Sequence, residues 1–243
     1  MERIDVLLVK KALVRSRTLA SKLISEGRVS VGGRIAEKPS EKFSEDAEIT
    51  VAESEEAKYV SRGALKLIAA LDGFEISPLD KKCIDIGAST GGFTQVLLER
   101  GAKDVLCVDS GKDQLAPEIA NDIRVKSLEN TNARNLDENI GIFDIAVMDV
   151  SFISQTLIYP AINKILAKNG ILISLIKPQF EAGRAYLGKG GIIKDEKAYR
   201  LVFDKIEAES KSNGLKLISA IPSPIKGGDG NKEFLALFER AEQ

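Results

Sequence analysis

The chain has 243 residues, 44% hydrophobic and 29% charged, a soluble globular composition with room for one large domain or two unequal ones. It contains no His and no Trp, which excludes Ser-His-Asp and Cys-His catalysis, His-based metal sites and a His proton shuttle. The 35 Lys and Arg against 36 Asp and Glu leave a net charge of −1, which argues against a uniformly basic nucleic-acid coat but not against a local patch.

The start, Met1-Glu2-Arg3-Ile4-Asp5, leads into no apolar core of signal-peptide length. The longest apolar runs, such as residues 171–176, fall far short of a membrane span. Cys83 and Cys107 each sit in a short apolar run and read as buried, reduced thiols rather than a disulfide framework. A cytoplasmic location is the expectation.

Residues 1–38 carry nine Lys and Arg against four Asp and Glu; residues 39–56 carry seven acids against Lys42 alone. Near-neutrality therefore hides two opposed local charges. Ile4, Leu7 and Leu8 recur at helical spacing and predict a first helix. Ser16 reads as an N-cap, Leu19, Ala20, Leu23 and Ile24 as the stripe of a second helix, and Gly27 as its end. Arg28-Val29-Ser30-Val31 running into Gly32-Gly33 and Ile35 predicts a hairpin, with Ile49-Thr50-Val51 closing a small sheet. Arg15, Arg17, Lys22 and Arg28 gather around the second helix, where phosphate binding and a merely solvated charged face are both open readings.

This segment resembles the S4-type RNA-binding domain, an α+β module, through Arg3 to Val9, Ser16-Arg17, and Gly27 to Gly33. The resemblance implies RNA binding by Arg3, Arg15, Arg17, Lys22 and Arg28. It places a domain at residues 1–57, a linker at 58–62 that includes Arg62 as a further RNA contact, and a second domain at 63–243.

After residue 60, strand-like and helical segments alternate, which predicts an α/β sheet covered on both faces. The expected strands are Lys82–Ile86, Asp104–Val108, Arg124–Ser127, Phe143–Met148, Gly170–Ile176, Lys216–Ala220 and Phe234–Phe238. The expected helices are Gly63–Leu71, Gly92–Glu99, Ile153–Leu166 and Asp195–Ser212.

The sharpest motif is Cys83-Ile84-Asp85-Ile86-Gly87-Ala88-Ser89-Thr90-Gly91-Gly92-Phe93. It is a strand ending in an acid, a glycine-bearing loop and a helix start, the place where doubly wound sheets bind ligands. A dinucleotide fingerprint needs G-x-G-x-x-G, whereas this loop reads G-x-x-x-G-G. It resembles the first motif of S-adenosylmethionine-dependent methyltransferases, which implies a mostly parallel, seven-stranded Rossmann-like sheet. It also implies cofactor contacts at Asp85, Gly87, Ala88, Ser89, Gly91, Gly92 and Phe93. Asp109, ending the next strand, sits where an acid can accept from two ribose hydroxyls. Asn132 follows the third strand, near the place of adenine contacts in that family, and Asp149 ends the fourth. Gln95 stands where relatives often carry Asp.

Asp149-Val150-Ser151-Phe152 has no proline, which argues against transfer to a base amino group. Transfer to a pyrimidine carbon needs a Cys nucleophile, and both Cys are on expected buried strands. Transfer to oxygen remains. Lys66 comes early on a helix, Lys177 at the end of the fifth strand and Glu233 at the start of the last.

In the order Lys66, Asp149, Lys177, Glu233, these residues resemble the catalytic set of the FtsJ/RrmJ-type ribose 2′-O-methyltransferases. With the S4-type module and Tyr59-Val60-Ser61-Arg62-Gly63, the whole chain resembles the hemolysin-like TlyA group. The resemblance implies transfer of a methyl from S-adenosylmethionine to a cytidine 2′-hydroxyl of ribosomal RNA, with rRNA or a ribosomal subunit as partner and no metal. Without His, the base that takes the hydroxyl proton must be Lys, Asp or Glu. Lys177 is the expected base and Lys66 a nearby second cation. Asp149 is expected to orient Lys177, and Glu233 to position Lys66 or the ribose. Two alternatives stay open: a non-catalytic RNA-binding assembly protein with the same fold, and a membrane-lytic protein.

Overall fold

The computed structural model describes residues 1–52, 58–193, 195–228 and 230–241. It divides the chain into two units, Met1–Tyr59 and Val60–Gln243. Of the acidic stretch 39–56, Glu53, Glu55 and Glu56 lie outside the described residues.

In the first unit, helices α1 (Ile4–Lys10) and α2 (Arg17–Ser25) follow β1 (Glu2–Arg3). Ser16 caps α2 by accepting from Leu19 N at 3.2 Å. Gly27, at φ +69°, closes it with the paired bonds Gly27 N to Ile24 O and Arg28 N to Leu23 O, both 2.9 Å. Gly32 and Gly33 both hold positive φ, which suits the tight turn joining β2 (Val29–Val31) to β3 (Arg34–Ile35). Strand β2 also pairs with β5 (Ile49–Val51). The helical stripe packs on this sheet through Ile4, Leu8, Leu23, Ile24 and Val29. The sequence did not predict the pairing of β1 with β4 (Lys42–Phe43), because two-residue strands carry no periodicity.

The second unit is a seven-stranded α/β sheet in the order β11-β12-β10-β9-β6-β7-β8. Its strands are β6 (Lys82–Ile86), β7 (Asp104–Val108), β8 (Val125–Leu128), β9 (Phe143–Met148), β10 (Leu166–Ile176), β11 (Leu215–Pro222) and β12 (Phe234–Arg240). All neighbouring pairs from β10 to β8 are parallel, and β12 runs antiparallel to both β10 and β11. The helices are α3 (Gly63–Gly73), α4 (Gly92–Glu99), α5 (Pro117–Ala120), α6 (Tyr159–Ile165), α7 (Pro178–Glu181) and α8 (Glu196–Ser212).

Alternation along β6 shows how both faces are covered. Ile84 and Ile86 join a core with Tyr159 and Ile162 of α6 and Val202 and Ile206 of α8. Asp85 points the other way and meets Thr94 of α4. Two elements differ from expectation by more than two residues at a boundary. The helix expected at 153–166 is a short 3-10 turn followed by α6, which has Pro160 in its first turn. Strand β10 starts at Leu166, with a register shift against β9 before Ile171, where Asn169 turns at φ +62°.

Ile84 is fully buried on a central strand. Ile84→Ala is expected to cost about 2–5 kcal/mol, read as a lower urea midpoint by circular dichroism.

Candidate active site

The strand order reverses between β6 and β9, and a ligand crevice opens beyond their carboxyl ends at such a point. Gly87 leaves β6 at φ +83°, and a Cβ there would lie 2.4 Å from Asp149 O. No side chain fits, so the loop runs against the end of β9. Gly91 also holds a left-handed φ of +92°, ahead of α4, and a Cβ there would strike Ile119 at 2.9 Å.

Two cavities adjoin at this crevice. The larger, about 570 Å³, is walled by Gly87, Ser89, Asp109, Asn132 and Phe152, among others. The smaller, about 310 Å³, is walled by Arg62, Lys66, Ala88, Phe93, Lys177 and Glu233, with Gly92 also on its wall. Gly87, Ser89, Asp149 and Ser151 line both.

Asp109 is fixed on the larger wall by Ser89 N at 2.8 Å and Gly111 N at 2.7 Å, one bond to each oxygen. Each oxygen keeps a second lone pair for a ligand. Asn132 caps a 3-10 turn by accepting from Arg134 N at 3.1 Å.

Asp85 departs from the expectation of a cofactor contact. Its carboxylate is fully buried and lines neither cavity. Oδ2 accepts from Thr94 Oγ1 at 2.7 Å, and Oδ1 has no hydrogen-bond partner among the described residues. Burial pushes its pKa up to about 7; the Thr94 bond opposes this and nearby Asp149 adds to it. Asp85 holds the loop from beneath. Gly91 likewise lines neither cavity, because its place is against Ile119.

Lys66 Nζ donates to Glu233 Oε2 at 2.6 Å, and both side chains are buried. A Cβ on Gly227 would lie 2.5 Å from Glu233 Oε1, so the glycine loop makes room for this carboxylate. Lys66, expected as a second cation near Lys177, is thus a compensated charge, held by Glu233, one of whose two expected partners it was. Lys177 Nζ lies 2.6 Å from Asp149 Oδ1 and donates to Ser151 Oγ at 2.7 Å. Asp149 Oδ1 nevertheless has no partner with hydrogen-bond geometry among the described residues. The Lys177–Asp149 contact is a charge contact, and the directional bond goes to Ser151.

Both Cys are free and buried, and burial pushes each thiol up to about 12. Neither is a nucleophile at neutral pH. Among the described residues, no group of three or more His, Cys, Asp or Glu could hold a metal ion, and no helix is long and apolar enough to cross a membrane.

In the first unit, Asp5 is buried, and sequence reasoning missed it. Arg3 Nε donates to its Oδ1 at 2.9 Å and Arg17 Nη2 to its Oδ2 at 2.8 Å. Both arginines are therefore structural as well as exposed, at 42% and 59% of the side chain. Lys22 and Arg28 lie 3.9 and 3.2 Å from Glu26, and Arg15 also has an interaction partner. Arg62, grouped with these by sequence, belongs to the smaller cavity of the second unit, beside Gly228. Gln95, the departure from the family pattern, accepts from Val60 N at 2.9 Å. Ser151 was visible only as part of the motif after β9, with nothing to show that it meets Lys177.

The FtsJ-like methyltransferase family model matches residues 59–240. The chain belongs to this family. The S4 domain model matches residues 2–49. The 16S/23S rRNA (cytidine-2′-O)-methyltransferase TlyA of Mycobacterium tuberculosis is 40% identical over 96% of this chain and 87% of its own length. Hemolysin A of Brachyspira hyodysenteriae is 41% identical over 97% and 99%. The solved structure of a hemolysin-named protein from Streptococcus thermophilus is 42% identical, with a TM-score of 0.79, over 100% of this chain and 89% of that one.

Two outcomes follow from the buried groups. Glu233→Ala leaves Lys66 buried without its counter-charge and is expected to cost about 3–5 kcal/mol in urea unfolding, most of it recovered in Lys66→Met/Glu233→Leu. The pKa of Asp85 is higher folded than its ordinary 3.8, so the folded state keeps a proton that the unfolded state loses. Stability is greatest below about pH 4 on this account and falls as pH rises to about 7. Asp85→Asn is expected to remove that decline, on the order of 3 kcal/mol, in unfolding curves at pH 5 and pH 8.

Proposed function

We propose that this chain is an S-adenosylmethionine-dependent methyltransferase acting on a cytidine 2′-hydroxyl of ribosomal RNA. The observation that carries the reading is the pair of adjoining cavities sharing Asp149, with Lys177–Asp149 and Lys66–Glu233 beside the smaller one. The Mycobacterium tuberculosis relative, named for this transfer, aligns with both units. In this reading residues 1–57 hold the RNA, 58–62 connect, and 63–243 perform the transfer.

The larger cavity suits S-adenosylmethionine. Gly87 leaves the backbone open there, Asp109 offers fixed acceptors to ribose hydroxyls, and the Asp149 carboxylate, beside Lys177, lines the junction. Asn132 and the Ala88 and Ser89 backbone would complete the contacts. Bound, this cofactor supplies an electrophilic methyl carried on a sulfonium.

The ribose hydroxyl is a weak nucleophile, so its proton must leave as the new bond forms. Lys177 Nζ takes that proton, and Asp149, 2.6 Å away, offsets the ammonium produced. Lys66, held by Glu233, lines the cavity as a compensated pair that holds its shape. Arg62 stands on the same wall, where a phosphate of the target strand would meet it.

The test is transfer of tritiated methyl to isolated small and large ribosomal subunits, followed by mapping of the product. Lys177→Ala is expected to lose about 100-fold or more in rate with cofactor binding retained. A methyl found on a base would overturn the ribose assignment, and no transfer despite calorimetric cofactor binding would overturn the catalytic reading.

A further inference from the structure

Among the described residues, Lys177 donates one hydrogen bond, to Ser151 Oγ at 2.7 Å. Its contact with Asp149 is close but lacks hydrogen-bond direction. An amine that is to accept a proton is neutral, with two N–H groups and one lone pair. Charge attraction alone leaves such an amine free to turn about its Cε–Nζ bond. One directed N–H bond to Ser151 stops the turning and leaves the lone pair two staggered positions, and the nearby Asp149 carboxylate, which attracts the second N–H, favours one of them.

Ser151 is also well anchored for such a task. It lines both cavities, at the junction where the methyl would change hands. Phe152, next in the chain, holds φ +64°, a left-handed conformation uncommon for a bulky side chain, while remaining 92% exposed. Its ring packs on Phe180, 5.2 Å between centroids, three residues beyond Lys177. Further along, buried Glu181 ties the same loop down, accepting from Gln155 N at 2.8 Å and from Ser154 Oγ. Lys205 pairs with Glu181 at 3.0 Å. The loop bearing Ser151 is thus fastened through Glu181 to the turn that follows Lys177, with the Phe152–Phe180 contact beside it.

We propose that Ser151 is a positioning residue that aims the Lys177 amine at the ribose hydroxyl, while Asp149 compensates charge. The proposal rests on the reading of Lys177 as the base. Ser151 acts through Lys177 and forms no bond to the transferred group.

The test uses the full chain on the ribosomal subunit that accepts label, with kcat, KM for that subunit and cofactor Kd measured separately. Ser151→Ala is expected to lower kcat roughly 10- to 100-fold, with KM and Kd within about twofold of the parent. Ser151→Thr, which restores a hydroxyl, is expected to recover most of the rate. Ser151→Ala/Lys177→Ala is expected to be no slower than Lys177→Ala alone. Parental kcat in Ser151→Ala, or a loss shared with KM or Kd that Thr does not restore, overturns the proposal. Parental kcat in Lys177→Ala takes down the base assignment itself, which separates the two failures.

Discussion

The site depends on one contact that leaves no space for a side chain. Strands β6 and β9 are parallel neighbours, so their carboxyl ends emerge side by side and the chain departs from them in different directions. At Gly87 the two exits touch, and a single carbon would collide with the Asp149 carbonyl. Everything else is measured from that point. The Asp149 side chain reaches Lys177 from it, and two residues past Gly87 the Ser89 amide fastens Asp109. A wider separation would open the crevice and move the acid of one strand away from the lysine of the next.

The absence of His puts the burden of acid–base chemistry on lysine and carboxylate, and the two lysine pairs divide it by burial. Lys66 and Glu233 retain 7% and 3% of side-chain exposure, Lys177 and Asp149 11% and 22%. A buried pair is costly to break because either partner left alone is a charge without solvent, so Lys66–Glu233 is suited to hold geometry. The more open pair has access to solvent, as the proposed transfer requires of a base. The same sequence thus uses one residue pairing for two ends, separated only by depth.

The strands around the crevice were legible because each is a short apolar run stopped by glycine or acid: β6, β7 and β9 begin and end where the pattern of the chain places them. The start of β10 was not. Residues 167–169 fell between the expected helix and the expected strand, whereas the strand begins at Leu166 and bulges there, with Asn169 at φ +62°. The four chemical residues were legible as residues, through their places at strand and helix ends and their resemblance to a known set. The pairing of Asp149 with Lys177 was expected as well, whereas Glu233 was left open between Lys66 and the ribose, a choice decided by side chains 167 positions apart in sequence meeting in space. Asp85 marks the same limit. A strand-terminal acid is visible as such, yet whether it faces the crevice or the helix behind it is decided by pleat and loop together.

Asp5 has a consequence for the other end of the chain. Two arginines share one buried carboxylate, and both still project into solvent. A free arginine must surrender its rotamer freedom when an anion arrives, at about 0.5–1.5 kcal/mol for each long side chain. Here much of that freedom is already gone in the unbound protein, removed during folding by a neighbour that never meets the ligand. Arg3 and Arg17 are therefore held less like flexible tethers than like a rigid fork, and the spacing of their guanidinium groups is set by the position of a single aspartate.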